Sequence, residues 1–321
     1  MKLERMLSMC RAGQWSVDDL DWSVRPRALT REQELAVCQY FTNMSGIELL
    51  AAALFEVQRD ATDDPLLAEI FDTFVTDERR HAEVARRLAA HYDVHGLRRY
   101  AVNPHLERFR GPFLDVLHRV GPDIANAYIT TGELLLDVAL LRSLNDYVND
   151  DMSSQAMTRI NRDESRHIAI DFYMVEYYSS PEFVALAASQ PARSLVEALR
   201  AAVAMIVMLY RASPFLREVF FEPLDLTDPS GKRMLEAFKR VQLLARKPQV
   251  AARPFTRFLR TMQDLYNHPV LGRALEPLLR RAIGLDPRVI VDLYTPEELR
   301  RAQRMSIQEM AQEALQLKFA T

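Results

Sequence analysis

Three features of this sequence predict an all-α fold, a four-helix bundle with additional C-terminal helices. Only 9 glycines occur in 321 residues, too few for the turn-rich pattern of a β protein. Long segments repeat apolar residues at intervals of three and four, the period of a half-buried helix, and strand-like alternation is absent. One pattern, D-E-x-R-H, occurs twice, as Asp77-Glu78-Arg79-Arg80-His81 and as Asp163-Glu164-Ser165-Arg166-His167.

The composition, 49% hydrophobic and 26% charged, is enough to bury a large core in one big domain or two. With a net charge of −3 and basic residues scattered among acidic ones, neither nucleic acid nor an anionic membrane is an expected partner. Cys10 and Cys38 are too few for a disulfide framework or a thiolate metal site, so a reducing cytoplasm is the expected compartment. Lys2, Glu4 and Arg5 leave no room for the apolar core of a signal peptide. The most apolar stretch, 201–210, is too short to span a bilayer.

Residues 1–29 are the least regular and form an N-terminal extension. Thr30, three residues before Gln33, makes a capping-box pattern that opens a helix through Glu48 toward Arg59. A turn at 60–65 follows, with Asp64 as N-cap and Pro65 as the first residue of a second helix reaching His91. Residues 91–121, with Gly96, Pro104, Gly111 and Pro112, read as a long crossover. Two more helices carry Glu133 and Glu164 and turn at 147–151, so the bundle spans 30–180. Beyond it, helical patterns recur at 191–213, 230–246, 252–266 and 269–284 and, from a capping box between Thr295 and Glu298, at 296–318. Residues 181–321 therefore pack on the bundle as a pocket wall or an oligomer interface.

Residues three apart share one helix face, so each Glu of the repeated pattern projects with its His. Each copy has a glutamate upstream in an apolar run, Glu48 and Glu133, at intervals of 78 − 48 = 30 and 164 − 133 = 31. Groups on antiparallel neighbours reach one height only when equally far from the turn. Glu48 and Glu78 lie 63 − 48 = 15 and 78 − 63 = 15 residues from Asp63, arms of roughly 22 Å. The midpoint of Glu133 and Glu164 falls on the turn at 147–151. A charge on a core-facing position is costly unless paired or metal-bound. Two divalent cations would neutralise the four glutamates and leave His81 and His167 as neutral donors. Asp77 and Asp163 are placed to hold the second N–H of a ligand imidazole on the opposite hairpin, and Arg80 and Arg166 to hold those aspartates charged. Ala51, Ala52, Phe55, Ile129 and Leu136 lie beside the ligands on the core face and would wall an apolar substrate pocket. His91, His95, His105, His118 and His268 lack paired spacing. A metal-free helical protein is the bland alternative that the doubled pattern disfavours.

With these residues in view, the chain resembles the non-heme di-iron carboxylate oxygenases of the ferritin-like group. That group includes bacterial multicomponent hydroxylases, the ribonucleotide reductase small subunit and arylamine N-oxygenases. The likeness covers about residues 30–180, and 15–33 bears a fainter likeness to reductase-type N-termini. It implies a ferritin-like bundle with Glu48, Glu78, His81, Glu133, Glu164 and His167 as catalytic iron ligands and Asp77 and Asp163 behind them. It also implies two iron ions, manganese or a mixed pair being variants, dioxygen as co-substrate and a small organic substrate. No flavin or nicotinamide fingerprint occurs, so a separate reductase or ferredoxin would supply electrons; a homodimer is compatible with the extra helices.

Departures from the group's patterns refine the expectation. Four residues after His81, where the reductase subunit has its radical tyrosine, stands Ala85, which disfavours a tyrosyl-radical role. Four residues after Glu133, where the hydroxylases have threonine, stands Asp137, so that route for proton delivery differs. Four residues before Glu164, where the N-oxygenases add a histidine, stands Ile160, and amine N-oxidation becomes the alternative. A ferroxidase or iron-binding role is a further alternative that the chain's length disfavours, since cage-forming bundles need about four helices.

Overall fold

Helices begin where side chains can satisfy the first free backbone N–H groups. The computed structural model describes residues 1–189, 194–272, 274, 276, 277 and 287–319, without the side chains of Val120, Asp137, Val138, Pro254, Pro287, Arg288, Lys318 and Phe319. All regular structure among the described residues is helical.

The N-terminal extension is more ordered than its sequence suggests. It opens with α1 (Leu3–Ala12), which buries Leu3, Met6, Leu7 and Cys10 against the third helix. Helix α2 (Arg31–Asp60) starts at Thr30, whose hydroxyl accepts from the Gln33 N–H while the Gln33 side chain accepts from the Thr30 N–H. Helix α3 (Pro65–Tyr92) starts at Asp64, which accepts from the N–H groups of Leu66 and Leu67. The segment read as a crossover contains a further helix, α4 (Pro104–Val120), capped by Asn103 and carrying Pro112 inside it. Burial overrides the local signals there: Phe109, Phe113, Val116 and Leu117 form one buried face, and Phe109 stacks on both Phe113 and Phe215.

Helix α5 (Pro122–Leu134) widens into a π-helical segment, Leu135–Leu141, and continues as α6 (Arg142–Val148). Asn149, at φ 50, ends that run, and Asp150 caps α7 (Asp151–Tyr178) through the Ser153 N–H. Helix α2 packs along α3 and α5, and α7 packs along α5 and α3. Those four arms enclose a core that includes Phe41, Met44, Phe55, Phe71, Ile129 and Ile160.

The later helices are α8 (Pro181–Ser189), α9 (Leu195–Phe215) and α10 (Glu222–Thr227), the last two joined by a second π-helical segment, Leu216–Phe221. They continue with α11 (Lys232–Ala245), α12 (Pro248–Ala251), α13 (Pro254–Asn267), α14 (Pro287–Ile290), α15 (Pro296–Arg304) and α16 (Ile307–Phe319). The helix expected at 269–284 lies largely outside the described residues. The one expected at 296–318 is two helices, because Met305 is extended and Ser306 caps a new start through the Glu309 N–H. A second core, with Leu134, Phe172, Ala237, Ala302 and Met310 among its members, joins α11, α15 and α16 to α7 and the first π-helical segment. Among the described residues one stretch, Pro122–Val148, is long and apolar enough to cross a membrane, and 69% of its most apolar window is buried inside the protein, as in a core helix.

Candidate metal centre

The six ligand-like side chains come from four arms: Glu48 on α2, Glu78 and His81 on α3, Glu133 on α5, and Glu164 and His167 on α7. All six are buried. Their donor atoms fall into two groups, each with every atom within 4.8 Å of the others: Glu48, Glu78, His81 and Glu164, and Glu78, Glu133, Glu164 and His167. Glu78 and Glu164 belong to both groups, so they stand between two positions. Glu164 places one oxygen 3.0 Å from His81 Nδ1 and the other 2.9 Å from His167 Nδ1. Glu78 lies 3.1 Å from His167 Nδ1 and 3.9 Å from His81 Nδ1.

The donor set fits a pair of divalent cations. Both oxygens of Glu78, Nδ1 of His81 and Oε1 of Glu164 are buried without a hydrogen bond of normal geometry. Such atoms cost about 1–3 kcal/mol each if nothing satisfies them, and here they converge on the same two points. Four carboxylates and two imidazoles give oxygen and nitrogen donors with charge for two doubly charged ions.

The outer nitrogens of the imidazoles are held by carboxylates that cross between the hairpins. His81 Nε2 lies 3.1 Å from Asp163 Oδ2, and His167 Nε2 lies 3.4 Å from Asp77 Oδ2. Each aspartate precedes its own helix's glutamate by one residue, which turns it about 100° round the helix and toward the facing histidine. With Nε2 donating outward, the Nδ1 lone pair is left for the centre. The arginines bind both aspartates. Arg166 Nη2 sits 2.6 Å from Asp163 and 3.5 Å from Asp77; Arg80 bonds Asp77 and lies 3.3 Å from Asp163.

Sequence reasoning missed two residues of this layer. Trp15 donates its indole N–H to Asp163 Oδ2 at 2.6 Å, and Gln14 donates its amide to Asp77 Oδ1 at 2.9 Å. Arg80 donates in turn to Gln14 Oε1 at 2.8 Å and to the Trp15 carbonyl at 3.1 Å, and its guanidinium lies 4.9 Å from the Trp15 ring centre. Gly13 permits the approach, since a Cβ there would stand 2.8 Å from Arg166 Nη1. The only local signal was a large aromatic beside an amide in a stretch without periodicity.

Charge is distributed unevenly over the cluster. Burial, then the charges of Glu164, Glu48 and Glu133, push the Glu78 carboxyl well up. Burial opposes the charge on Glu164 as well, but His167 and His81 hold that carboxyl well down. Burial likewise opposes a charged His81 and His167; Asp163 and Glu164 raise the first to about 10, and Glu164 and Asp77 raise the second to about 9. Asp163 and Asp77 are depressed despite burial by the histidines they hold.

Ala51, Ala52, Phe55, Ile129 and Leu136 are all buried. Phe55 lies beside the centre, its ring 5.1 Å from that of His167, with Phe74 closer at 4.1 Å. Two cavities, of about 660 Å³ on α4 and α9 and about 500 Å³ around Tyr40, Asn43 and Glu218, include none of these five residues and none of the six ligand-like side chains. The side chain of Asp137 lies outside the described residues. His95 and His105 pair with Glu34 and Glu218, apart from the cluster. Comparison of the chain with protein-family models, curated proteins and solved structures finds no match, so its function is argued from the chemistry of the centre.

Proposed function

We propose that the four arms are a ferritin-like bundle holding two iron ions, with manganese or a mixed pair as variants. In this reading the protein is a cytoplasmic, dioxygen-activating oxidoreductase of small organic substrates, supplied with electrons by a separate reductase or ferredoxin. The observation that carries it is the pair of donor groups sharing Glu78 and Glu164. Carboxylate and imidazole donors suit iron or manganese better than zinc or copper. Glu48 and His81 would hold one ion, Glu133 and His167 the other, and Glu78 and Glu164 would lie between them. The metals, when bound, supply the dioxygen reduction that no side chain here can perform. Asp163 and Asp77 keep each imidazole in the tautomer that directs Nδ1 inward, Arg80 and Arg166 keep both aspartates charged, and Phe55 and Phe74 exclude water beside His167.

The tight packing of Phe55 and Phe74 on His167 favours a second reading, in which ferrous iron itself is the substrate. One experiment separates the two. Protein loaded with ferrous iron should retain about two ions per chain; Glu78→Ala and His167→Ala should lose the metal, and His105→Ala should not. Dioxygen uptake by the reduced protein should then be coupled to oxidation of an organic compound from a small-molecule panel. Uptake that tracks added ferrous iron alone would favour the ferroxidase, and full metal retention in both ligand variants would overturn either reading.

A further inference from the structure

The cavity of about 500 Å³ is lined from α2, α6, the second π-helical segment and α10. That volume is in the range of small-molecule sites, which set a few polar groups in apolar walls. Leu35 on α2, Leu144 and Tyr147 on α6, and Pro223 and Leu226 on α10 supply the apolar part. Glu218, which also lines it, stands in the π-helical segment Leu216–Phe221, a backbone insertion frequent at functional positions.

Two lining side chains carry donors that the protein leaves unused. Tyr40 is 6% exposed, and its hydroxyl is buried with no hydrogen-bond partner. Burial, then the charge of Glu48, pushes that hydroxyl well above its ordinary range, so it keeps its proton. Asn43, 5% exposed, accepts at Oδ1 from Gln39 Nε2 and from the Asn103 backbone N–H, each at 2.9 Å. The backbone donor fixes which end of the amide accepts, so Nδ2 is the end left to donate. Residues 40 and 43 share one face of α2. A buried donor without an acceptor is costly, and a ligand oxygen against that face would offer lone pairs to both.

The charges around the cavity decide what that oxygen can belong to. Glu32, Glu218 and Glu222 line it with one cation, Arg98, so the described lining is negative. Arg98 is engaged: it donates to Gln39 Oε1 at 2.8 Å and lies 5.0 Å from the Tyr100 ring centre. Glu218 accepts from Asn103 at 3.2 Å and lies 3.1 Å from Arg217 and 3.4 Å from His105. Burial opposes its charge, but these partners hold the carboxyl below its ordinary value. Arg217 also lies 3.8 Å from Glu222, so both carboxylates already have a counter-charge and have little need of a cationic ligand. An anionic ligand would meet a negative wall, whereas a neutral carbonyl accepts from Tyr40 and Asn43 without adding charge. We propose that this cavity binds a small organic molecule through a neutral carbonyl oxygen, of the amide or ketone class, which accepts from the Tyr40 hydroxyl and the Asn43 amide while the apolar body lies against Leu144, Tyr147 and Leu226. The site rests on its own lining and on no reading of the buried centre.

Benzamide is the probe, and ligand-observed NMR on the full chain should give a Kd of about a millimolar or tighter. Benzoate and benzylamine, of the same size but charged, should bind about tenfold more weakly or worse. Tyr40→Phe should weaken benzamide about tenfold. It should also raise the melting temperature of the free protein by a few degrees, because it removes an unsatisfied buried hydroxyl. Ala36→Trp, at a half-buried lining position, should fill the cavity and abolish binding with the helical circular-dichroism signal kept. No benzamide binding up to about 10 mM, equal binding of benzoate, tighter binding of benzylamine, or benzamide binding unchanged in Tyr40→Phe and Ala36→Trp would each overturn the proposal. A lower melting temperature in Tyr40→Phe would show that the hydroxyl already has a partner, and would overturn it as well.

Discussion

Two aspartates set the direction of two imidazoles, and they are not equivalent. Asp163 receives His81 Nε2 at 3.1 Å, the Trp15 indole at 2.6 Å and Arg166 at 2.6 Å, whereas Asp77 stands 3.4 Å from His167 Nε2 and draws Gln14 at 2.9 Å. Exchanging a carboxylate for an amide here removes the charge that fixes the imidazole tautomer, a change that typically lowers metal affinity about 10- to 100-fold. Asp163→Asn should fall at the upper end and Asp77→Asn at the lower, measured by competition with a chelating dye while circular dichroism stays helical. Equal, unchanged affinities in both variants would contradict the assigned role. Their sequence position, one residue before Glu78 and Glu164, made both aspartates readable. Trp15 and Gln14 had no such register, because they reach the centre from a turn brought in by α1.

At the scale of elements, the junction between α2 and the segment after α3 carries a buried charge. Glu34 accepts from the His95 backbone N–H at 2.9 Å and pairs with His95 Nδ1 at 2.6 Å. Burial opposes the Glu34 charge, but these bonds outweigh it and hold the carboxyl below its ordinary value of 4.5. A carboxyl depressed in the folded state adds stability that is fully present above its unfolded value and is lost as pH falls through the folded one. Wild type should therefore be more stable than Glu34→Gln at pH 7, with the difference shrinking below about pH 4.5. Urea unfolding at neutral and acid pH measures this, and a pH-independent difference would sink it. Helix α4 teaches the converse lesson: Gly111 and Pro112 read as breakers, and the stacking of Phe109 on Phe113 and Phe215 carries the helix through them.

For the whole molecule, four carboxylates gathered in the buried interior are a stability problem that the proposed cations would solve. Ligands that bind only the folded state add RT ln(1 + [L]/Kd), about 4 kcal/mol at a thousand-fold excess over Kd. Metal removal by a chelator should lower the melting temperature by several degrees, and adding back ferrous or manganous ion should restore it. Calcium should restore much less, since imidazoles are poor ligands for it. A melting curve indifferent to chelation would mean that the cluster is held by protons alone.

The sequence by itself determined the helical class, the ends of α2 and α3, the turn that precedes α7, and the six residues that converge in the interior. Each of those rests on local chemistry: capping side chains, a proline at a first turn, and a three-residue spacing that fixes a common face. Only the tertiary structure decided that Glu78 and Glu164 lie between two donor groups, that α1 delivers Gln14 and Trp15 to the aspartates, and that α9 keeps a second apolar face in solvent. Those features depend on which surfaces meet across 60 or more residues of chain, as with the 63 separating Gln14 from Asp77. Periodicity tells which face of a helix is apolar, and only packing tells what that face meets.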